Sequence, residues 1–345
     1  MLGNGLEVRL DEESVRASAP TIYDVAKAAG VAPSTVSRAF SRPGRVNSAT
    51  ANRIQEIAEQ LGYRTSPLVL APQRTNSQLV SILVSDITNP FFFAIIRGAE
   101  SIAGQNGYTM VLSDSQESAK YERESLDRAL NLVDGIVLAT SRMSDSAIRA
   151  TAQRKPLVLL NRIVSDVPSV VADNEHGVQL AVEHLVSLGH ESIVYLAGPE
   201  ASWSDGVRWA AIRAAAAESE IRVRRIGPLT PTVMGAAAAA DDFLAHPSTA
   251  VIAYNDLLAI GFMKQLQGNG LRIPEDVSVV GFDNSYGSDL VTPSLTTVAA
   301  SLRAMGTTAM TLLLELVRSR KPIKVQPTLL PTRLILRNST GPANS

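Results

Sequence analysis

Residues 21 to 64, at the front of a chain of 345, hold three short stretches with apolar residues at helical spacing and turn residues between them. Stretches this short cannot stay helical alone in water, so they must fold against one another as a three-helix cluster. In the first, Ile22, Val25, Ala26 and Ala29 face inward, Thr21 and Asp24 stand three apart as a capping pair, and Gly30 ends the helix. The second starts at Pro33; Val36, Ala39 and Phe40 turn inward and leave Pro33, Ser34, Ser37 and Arg38 outward. The third sets Ile54, Ile57, Ala58 and Leu61 on one face, with Asn47 or Ser48 as its cap and Gly62 as its stop.

A tight turn, a short second helix with small and cationic outward residues, and phosphate donors at helix ends are what a helix-turn-helix head needs to lie on DNA. Six Lys/Arg (27, 38, 42, 45, 53, 64) stand against three acids (24, 56, 59) between residues 20 and 64, in a chain whose total is −1. Positive charge is concentrated where phosphates would lie. A plain three-helix cap with a solvated basic face would show the same spacing. On the DNA-binding reading, Arg38 with Ser34 and Ser37 lies against base edges or phosphate, beside Thr21, Pro33 and Thr35, while Arg45, Asn47, Thr50 and Arg53 touch the backbone.

Behind this head the chain is 45% hydrophobic and only 19% charged, enough to bury large cores in two or three domains. It has no Cys, which excludes disulfides and thiolate metal sites. No apolar run approaches the roughly 20 residues of a membrane span. Residues 1 to 20 are mixed and acidic, with Glu7, Asp11, Glu12 and Glu13, rather than a secretory segment. A mobile extension and a cytoplasmic location are expected. His184 and His190 lack a third ligand in register, no phosphate loop or Gly-x-Ser-x-Gly elbow occurs, and neither an enzyme nor a cofactor is expected. A free-standing sugar carrier would need a signal peptide and no head, the reverse of what is found.

From residue 77 onward, short apolar runs alternate with helical patterns, which predicts parallel sheets with helices on both faces. Strands are expected at 79–84, 108–113, 135–139, 157–160, 193–197, 250–253 and 277–282, and helices at 91–106, 118–132, 174–188, 231–245, 256–268 and 302–317. Two such α/β units side by side leave a cleft at the carboxyl ends of their strands, where ligands bind in open sheets. Asp86, Asp114, Ser141, Asn161 with Arg162, Asn255 with Asp256, and Asp283 with Asn284 stand at those ends. Each alone suits a turn or a helix cap; their convergence on one cleft suggests binding.

The string from Asp24 to Val31 and the run Ser34 to Arg38 closely resemble the head of the LacI/GalR family of bacterial transcription regulators. Further matches follow in the family's order at 86–92, 184–190, 255–256, 274–283 and 293–298. The resemblance implies an all-α helix-turn-helix head and a two-lobed, periplasmic-binding-protein-like α/β core, its parallel sheets flanked by helices and its lobes joined by three crossings. Expected boundaries are an extension 1–20, head 21–64, linker 65–77, core 78–338 and tail 339–345. The N-lobe takes about 78–156 and 302–327, the C-lobe about 157–300 and 328–338.

In the same resemblance Arg208 and Asp283 fall where ligand-binding residues lie, Phe91 and Phe92 at the cleft wall with Ser85 beside them, and Asn255 on the other lobe. Ser141 and Trp203 are added as cleft residues, Trp203 either stacking on the ligand or merely packing. An arginine fork and a carboxylate suit neighbouring sugar hydroxyls, and aromatic faces suit the apolar side of a sugar. A carbohydrate effector is the first expectation and a purine-like or other non-sugar corepressor the alternative; Ala300 stands where some sugar-binding members carry glutamine. The expected partners are double-stranded operator DNA and a second copy of the chain, with no membrane, and the expected role is a repressor. In the linker, the family's hinge helix wedges a leucine into the minor groove. Pro72 stands at that position, so a helix through it is disfavoured; either a helix confined to Pro67–Ala71 offers Leu68 or Leu70 to the groove, or the linker is an unstructured tether.

Overall fold

The computed structural model describes residues 20–41, 45–61, 63, 77–319 and 326–344, in two compact units divided between residues 75 and 76. Gly62, the linker through residue 76 with Leu68 and Pro72, and the extension 1–19 lie outside the described residues.

The head is built from α1 (Ile22–Ala29), α2 (Pro33–Ser41) and α3 (Ser48–Gln60). Its core is Val25, Ala26, Ala29, Val36, Ala39, Ile54 and Ala58. Thr21 and Asp24 close a reciprocal capping box, Gly30 ends α1 at φ 62°, and Asn47 caps α3 by accepting from the Ala49 N–H at 2.9 Å. Leu61, expected inside, is 42% exposed. Helix α3 stops at Gln60, so Leu61 leaves the inward stripe; Tyr63 packs on the core instead, its ring 6.2 Å from that of Phe40.

The core starts with β1 (Leu79–Val84), α4 (Phe91–Gln105), β2 (Thr109–Asp114), α5 (Ala119–Ala129), β3 (Gly135–Ala139), α6 (Asp145–Arg154), β4 (Leu157–Leu160) and β5 (Ser169–Ala172). It continues through α7 (Asn174–Ser187), β6 (Ser192–Leu196), α8 (Trp203–Glu218), β7 (Arg222–Ile226), α9 (Ala237–Ala245), β8 (Ala250–Ala253), α10 (Asp256–Gly268), β9 (Ser278–Phe282) and β10 (Thr296–Ala300). Last come α11 (Leu302–Ser319), β11 (Thr328–Leu330) and β12 (Thr332–Ile335). One sheet runs β2-β1-β3-β4-β5-β11, all parallel; the other runs β7-β6-β8-β9-β10-β12, parallel except for β12. The strands β3, β4 and β8 are buried throughout, because helices cover both faces of each sheet.

This topology corrects the lobe boundaries. Strands β4, β5 and β11 hydrogen-bond into the first sheet, so the first lobe extends to Ala172 and recovers the chain from Leu302 to Leu330. The chain crosses between sheets after β5, after β10 and between β11 and β12. Residues 339–344 are also no loose tail: Val279 N–H donates to the Ser339 carbonyl, His190 meets Thr249, Ser278 and the Gly341 carbonyl, and Ala343 N–H bonds the Leu188 carbonyl. Burial lowers the pKa of His184 and His190 and favours their neutral form in this role.

Candidate functional site

Both sheets reverse strand order on either side of their first strand, β1 in one lobe and β6 in the other. Such a switch point opens a crevice at the carboxyl ends of its strands. In the first lobe Ser85 follows β1 and Thr140 follows β3, and the Thr140 hydroxyl donates to the Ser85 hydroxyl at 2.8 Å. In the second, Tyr254 and Asn255 follow β8, and Asp283 follows β9. These five residues line one cleft between the lobes, with Asn89, Phe91, Phe92, Glu117, Arg142, Asn161, Arg208 and Pro231.

Glu117, Thr140, Asn161 and Asp283 all hold positive φ, 58°, 57°, 55° and 106°. Non-glycine residues kept in that region cost about 1–3 kcal/mol each and cluster where a ligand is held. Four of them converge on this cleft.

Arg208 sits on α8, whose first turn is pinned by Asp205. That buried carboxylate accepts from Gly198 N–H at 2.6 Å, the Tyr195 hydroxyl at 2.8 Å and Arg225 at 2.6 Å. One turn on, Arg208 donates to Asn174 Oδ1 at 2.9 Å and to the Tyr254 carbonyl, lies 3.8 Å from Asp283, and stacks 4.1 Å over the Phe282 ring. Burial pushes the Asp283 carboxyl well above its ordinary range against the pull of Arg208, and the neighbouring Asp256 adds to the rise. Asp256, fully buried behind it, is raised to about 7 by the same desolvation, although Thr297 Oγ1 and Ser285 N–H both donate to it at 2.6 Å. Phe91 and Phe92 meet edge to face at 5.0 Å and form the apolar wall.

Of the expected effector residues, Ser85, Phe91, Phe92, Arg208, Asn255 and Asp283 come together in the cleft. Asn255 is largely committed within its own lobe, capping α10 through Leu258 N–H at 2.9 Å and donating to the Pro231 carbonyl at 3.2 Å. Ser141 and Trp203 do not line the cleft. Ser141 accepts from Met143 N–H at 3.2 Å, and its carbonyl is held by Arg162 at 2.8 Å. Trp203 is the first residue of α8 and is half-buried there.

Sequence reasoning missed Glu117, Thr140, Arg142, Tyr254, Asn89 and Pro231. Thr140 and Tyr254 directly follow apolar strands and could have been found by extending the strand-end rule to every residue type. Arg142 donates to Glu117 at 2.6 Å across 25 positions of sequence, and no spacing rule would pair them. The cleft has about 20 Å³ of open space, about one water's worth, so a sugar-sized ligand needs the lobes or their side chains to move apart. Among the described residues no three His, Asp or Glu side chains gather as a metal site.

On the head, Pro33, Ser34 and Arg38 are exposed along α2, with Thr35 and Ser37 half-buried beside them. The Arg38 guanidinium folds back on Ser34, donating to its carbonyl at 3.0 Å and its hydroxyl at 3.1 Å. Thr21, Arg45 and Asn47 are exposed and Thr50 half-buried. Arg53 is tied into the head, donating to the Ala29 carbonyl at 2.6 Å at the end of α1.

A two-lobed binding core carried with a helix-turn-helix head defines a ligand-responsive, DNA-binding regulator. The chain belongs to the lacI family of bacterial regulatory proteins, whose model matches residues 21–66, while the periplasmic binding protein-like domain matches residues 182–340. It is 32% identical over 331 residues to the transcriptional repressor CytR of Escherichia coli K12, covering 94% of this chain and 97% of that one. The Lac repressor dimer bound to operator and the anti-inducer ONPF superposes with a TM-score of 0.70 at 28% identity, over 94% of this chain and all of that one. A LacI family regulator from Enterococcus faecium with bound ribose gives 0.68 at 31% identity, over 77% of this chain and all of that one. The protein is therefore a DNA-binding transcriptional repressor under ligand control, not an enzyme. No helix among the described residues is long and apolar enough to cross a membrane.

Proposed function

We infer that the protein works in the cytoplasm as a homodimer, one head on each half of a near-palindromic operator, and that a carbohydrate in the interlobe cleft changes its operator affinity. The observation that carries the effector reading is the meeting of a guanidinium, a carboxyl and an aromatic wall, Arg208, Asp283 and Phe91 with Phe92, in one buried cleft. A fork and a carboxyl can hold adjacent hydroxyls while the rings cover the apolar face of the sugar. The ribose-bound relative supports a pentose as the first probe.

In the head, Arg38 with Ser34 and Ser37 reads base edges, Thr21, Pro33 and Thr35 approach beside them, and Arg45, Asn47 and Thr50 hold phosphates. Arg53 acts more by bracing α1 than by a free contact. Dimerisation is supported by large exposed apolar side chains on the second lobe: Met234 (85% exposed) and Tyr286 (79%) belong to short 3-10 turns that both pack on α10.

A second reading rests on Phe91 and Phe92, whose rings could equally stack on a purine-like base. Calorimetry with a panel of pentoses, hexoses, nucleosides and purine bases separates the two. A sugar is expected to bind the wild type, and Asp283→Ala to lose about 2 kcal/mol or more of that binding by stranding its buried partner. Binding of purine bases alone, or wild-type affinity in the variant, would overturn the carbohydrate reading.

A further inference from the structure

Asn174 opens α7 just past the first chain crossing, is buried, and uses both halves of its amide. Its Oδ1 accepts from Arg208 Nε at 2.9 Å, and its Nδ2 donates at 3.1 Å to the carbonyl of Ala172, the last residue of β5 in the first lobe. Arginine only donates, so the amide oxygen must face it and the amide nitrogen the Ala172 carbonyl. The backbone here is tied to the third crossing: Asp173 N–H donates to the Leu330 carbonyl and Thr332 Oγ1 to the Asp173 carbonyl, both at 2.9 Å. The second crossing joins through Ala300, which lines one small cavity with Ala172, Asn174, Thr332, Arg208 and Asp283. All three connections between the lobes therefore meet around the amide that holds Arg208.

Arg208 keeps one nitrogen for a ligand. Its Nε goes to Asn174 and its Nη1 to the Tyr254 carbonyl, while Nη2 stands 3.8 Å from Asp283, beyond hydrogen-bonding distance. A guanidinium is a rigid planar fork, so a ligand that draws Nη2 also shifts Nε and the amide bonded to it.

We propose that Asn174 is a positioning residue that carries the state of Arg208 to the hinge: an effector bound at Nη2 turns the guanidinium, and the Asn174 amide passes that movement to the Ala172 carbonyl at the crossing. This rests on the reading of the cleft as the effector site. Asn174 does not touch the effector; it sets how far the lobes respond once Arg208 is occupied.

The chain has no Cys, so one spin label can be placed on each lobe through Arg123→Cys and Arg213→Cys, both exposed, and their separation measured in the full-length protein. Asn174→Asp keeps an acceptor for Arg208 and loses the donor to Ala172; Asn174→Leu is similar in size and loses both. Without effector, each variant is expected to give a broader distance distribution than the labelled parent, and an unchanged distribution in either overturns the proposal. With D-ribose as the probe, Asn174→Leu, which strands the buried Arg208 Nε, is expected to bind about tenfold more weakly than Asn174→Asp. Saturating D-ribose is expected to shift the interlobe distance in the parent and not in Asn174→Asp. Equal ribose affinity in the two variants, ribose that binds without moving the parent's lobes, or a parent-like shift in Asn174→Asp would each overturn it. A parent that takes no ribose counts against ribose as the effector, while the ligand-free distances still decide the role of Asn174.

Discussion

Arg38 is the long cation on the exposed face of α2, and it rests on Ser34 without a carboxylate partner in the described structure. A guanidinium held so loosely is free to turn to a guanine edge or a phosphate. Arg38→Ala is expected to cost about 1–3 kcal/mol of operator discrimination while leaving the melting of the head unchanged. Unchanged affinity in a mobility-shift titration would remove α2 from the groove. A second prediction concerns Asp256, whose carboxyl is raised from 3.8 to about 7 by burial. Folding therefore takes up a proton, and this contribution to stability is fully present below the unfolded value and lost as pH rises through about 7. Denaturant midpoints at about pH 5 and about pH 8 should fall further in wild type than in Asp256→Asn, with a limiting slope of about 1.4 kcal/mol per pH unit. Parallel pH profiles would show that Asp256 stays ionised on its two donors. At this scale Asp283 was legible as a carboxylate at a strand end and Arg208 through the family resemblance, and the structure brings both into the cleft. Thr140 and Tyr254 were passed over because only Asp, Asn, Ser and Arg were sought at strand ends, and the Glu117–Arg142 pair because a pairing between distant loops leaves no local pattern.

Helices α4 and α11 pack along the first lobe with glycine at the points of closest approach. A Cβ at Gly98 would overlap the Arg303 carbonyl oxygen, and one at Gly306 the Ile95 carbonyl oxygen. Backbone atoms cannot swing aside as side chains do. Gly306→Ala is thus expected to destabilise the core by about 1–3 kcal/mol, read as a lower denaturant midpoint, and an unchanged midpoint would mean that the helices slide freely. The elements legible in sequence were those with a continuous apolar run or a clean stripe, such as β1, β3 and α10. Strand β7, Arg-Val-Arg-Arg-Ile, pairs with only one neighbour at the sheet edge and is half exposed, so its composition hides it. Strands β5, β11 and β12 are three or four residues long and, unlike the equally short β4 and β8, are not continuous apolar runs, so nothing in them registers. The misplaced lobe boundary has the same origin: β4 looks like the start of a new unit until the short β5 and β11 are seen completing the first sheet.

For the molecule as a whole, the lobes are tied by three chain crossings and their facing side chains, so the cleft can open or close without unfolding either sheet. A ligand shifts such an equilibrium only by its difference in affinity for the two arrangements, and operator DNA must respond reciprocally. The regulator was legible through the strings at 24–31 and 34–38 and the later matches in family order, since the basic surplus of residues 20–64 alone also fits a plain three-helix cap, while the effector depends on side chains that meet only in three dimensions. The most direct measurement is a fluorescence-anisotropy titration of an operator duplex, selected by the protein from random DNA, with wild type and Asp283→Ala, in the presence and absence of a saturating sugar from the calorimetric panel. The prediction is that the sugar shifts wild-type operator affinity at least fivefold, the lower end of typical coupling between sites, and that the variant binds operator normally but ignores the sugar. Operator affinity that does not move with any cleft ligand, or that moves equally in the variant, would contradict control of the head from this cleft.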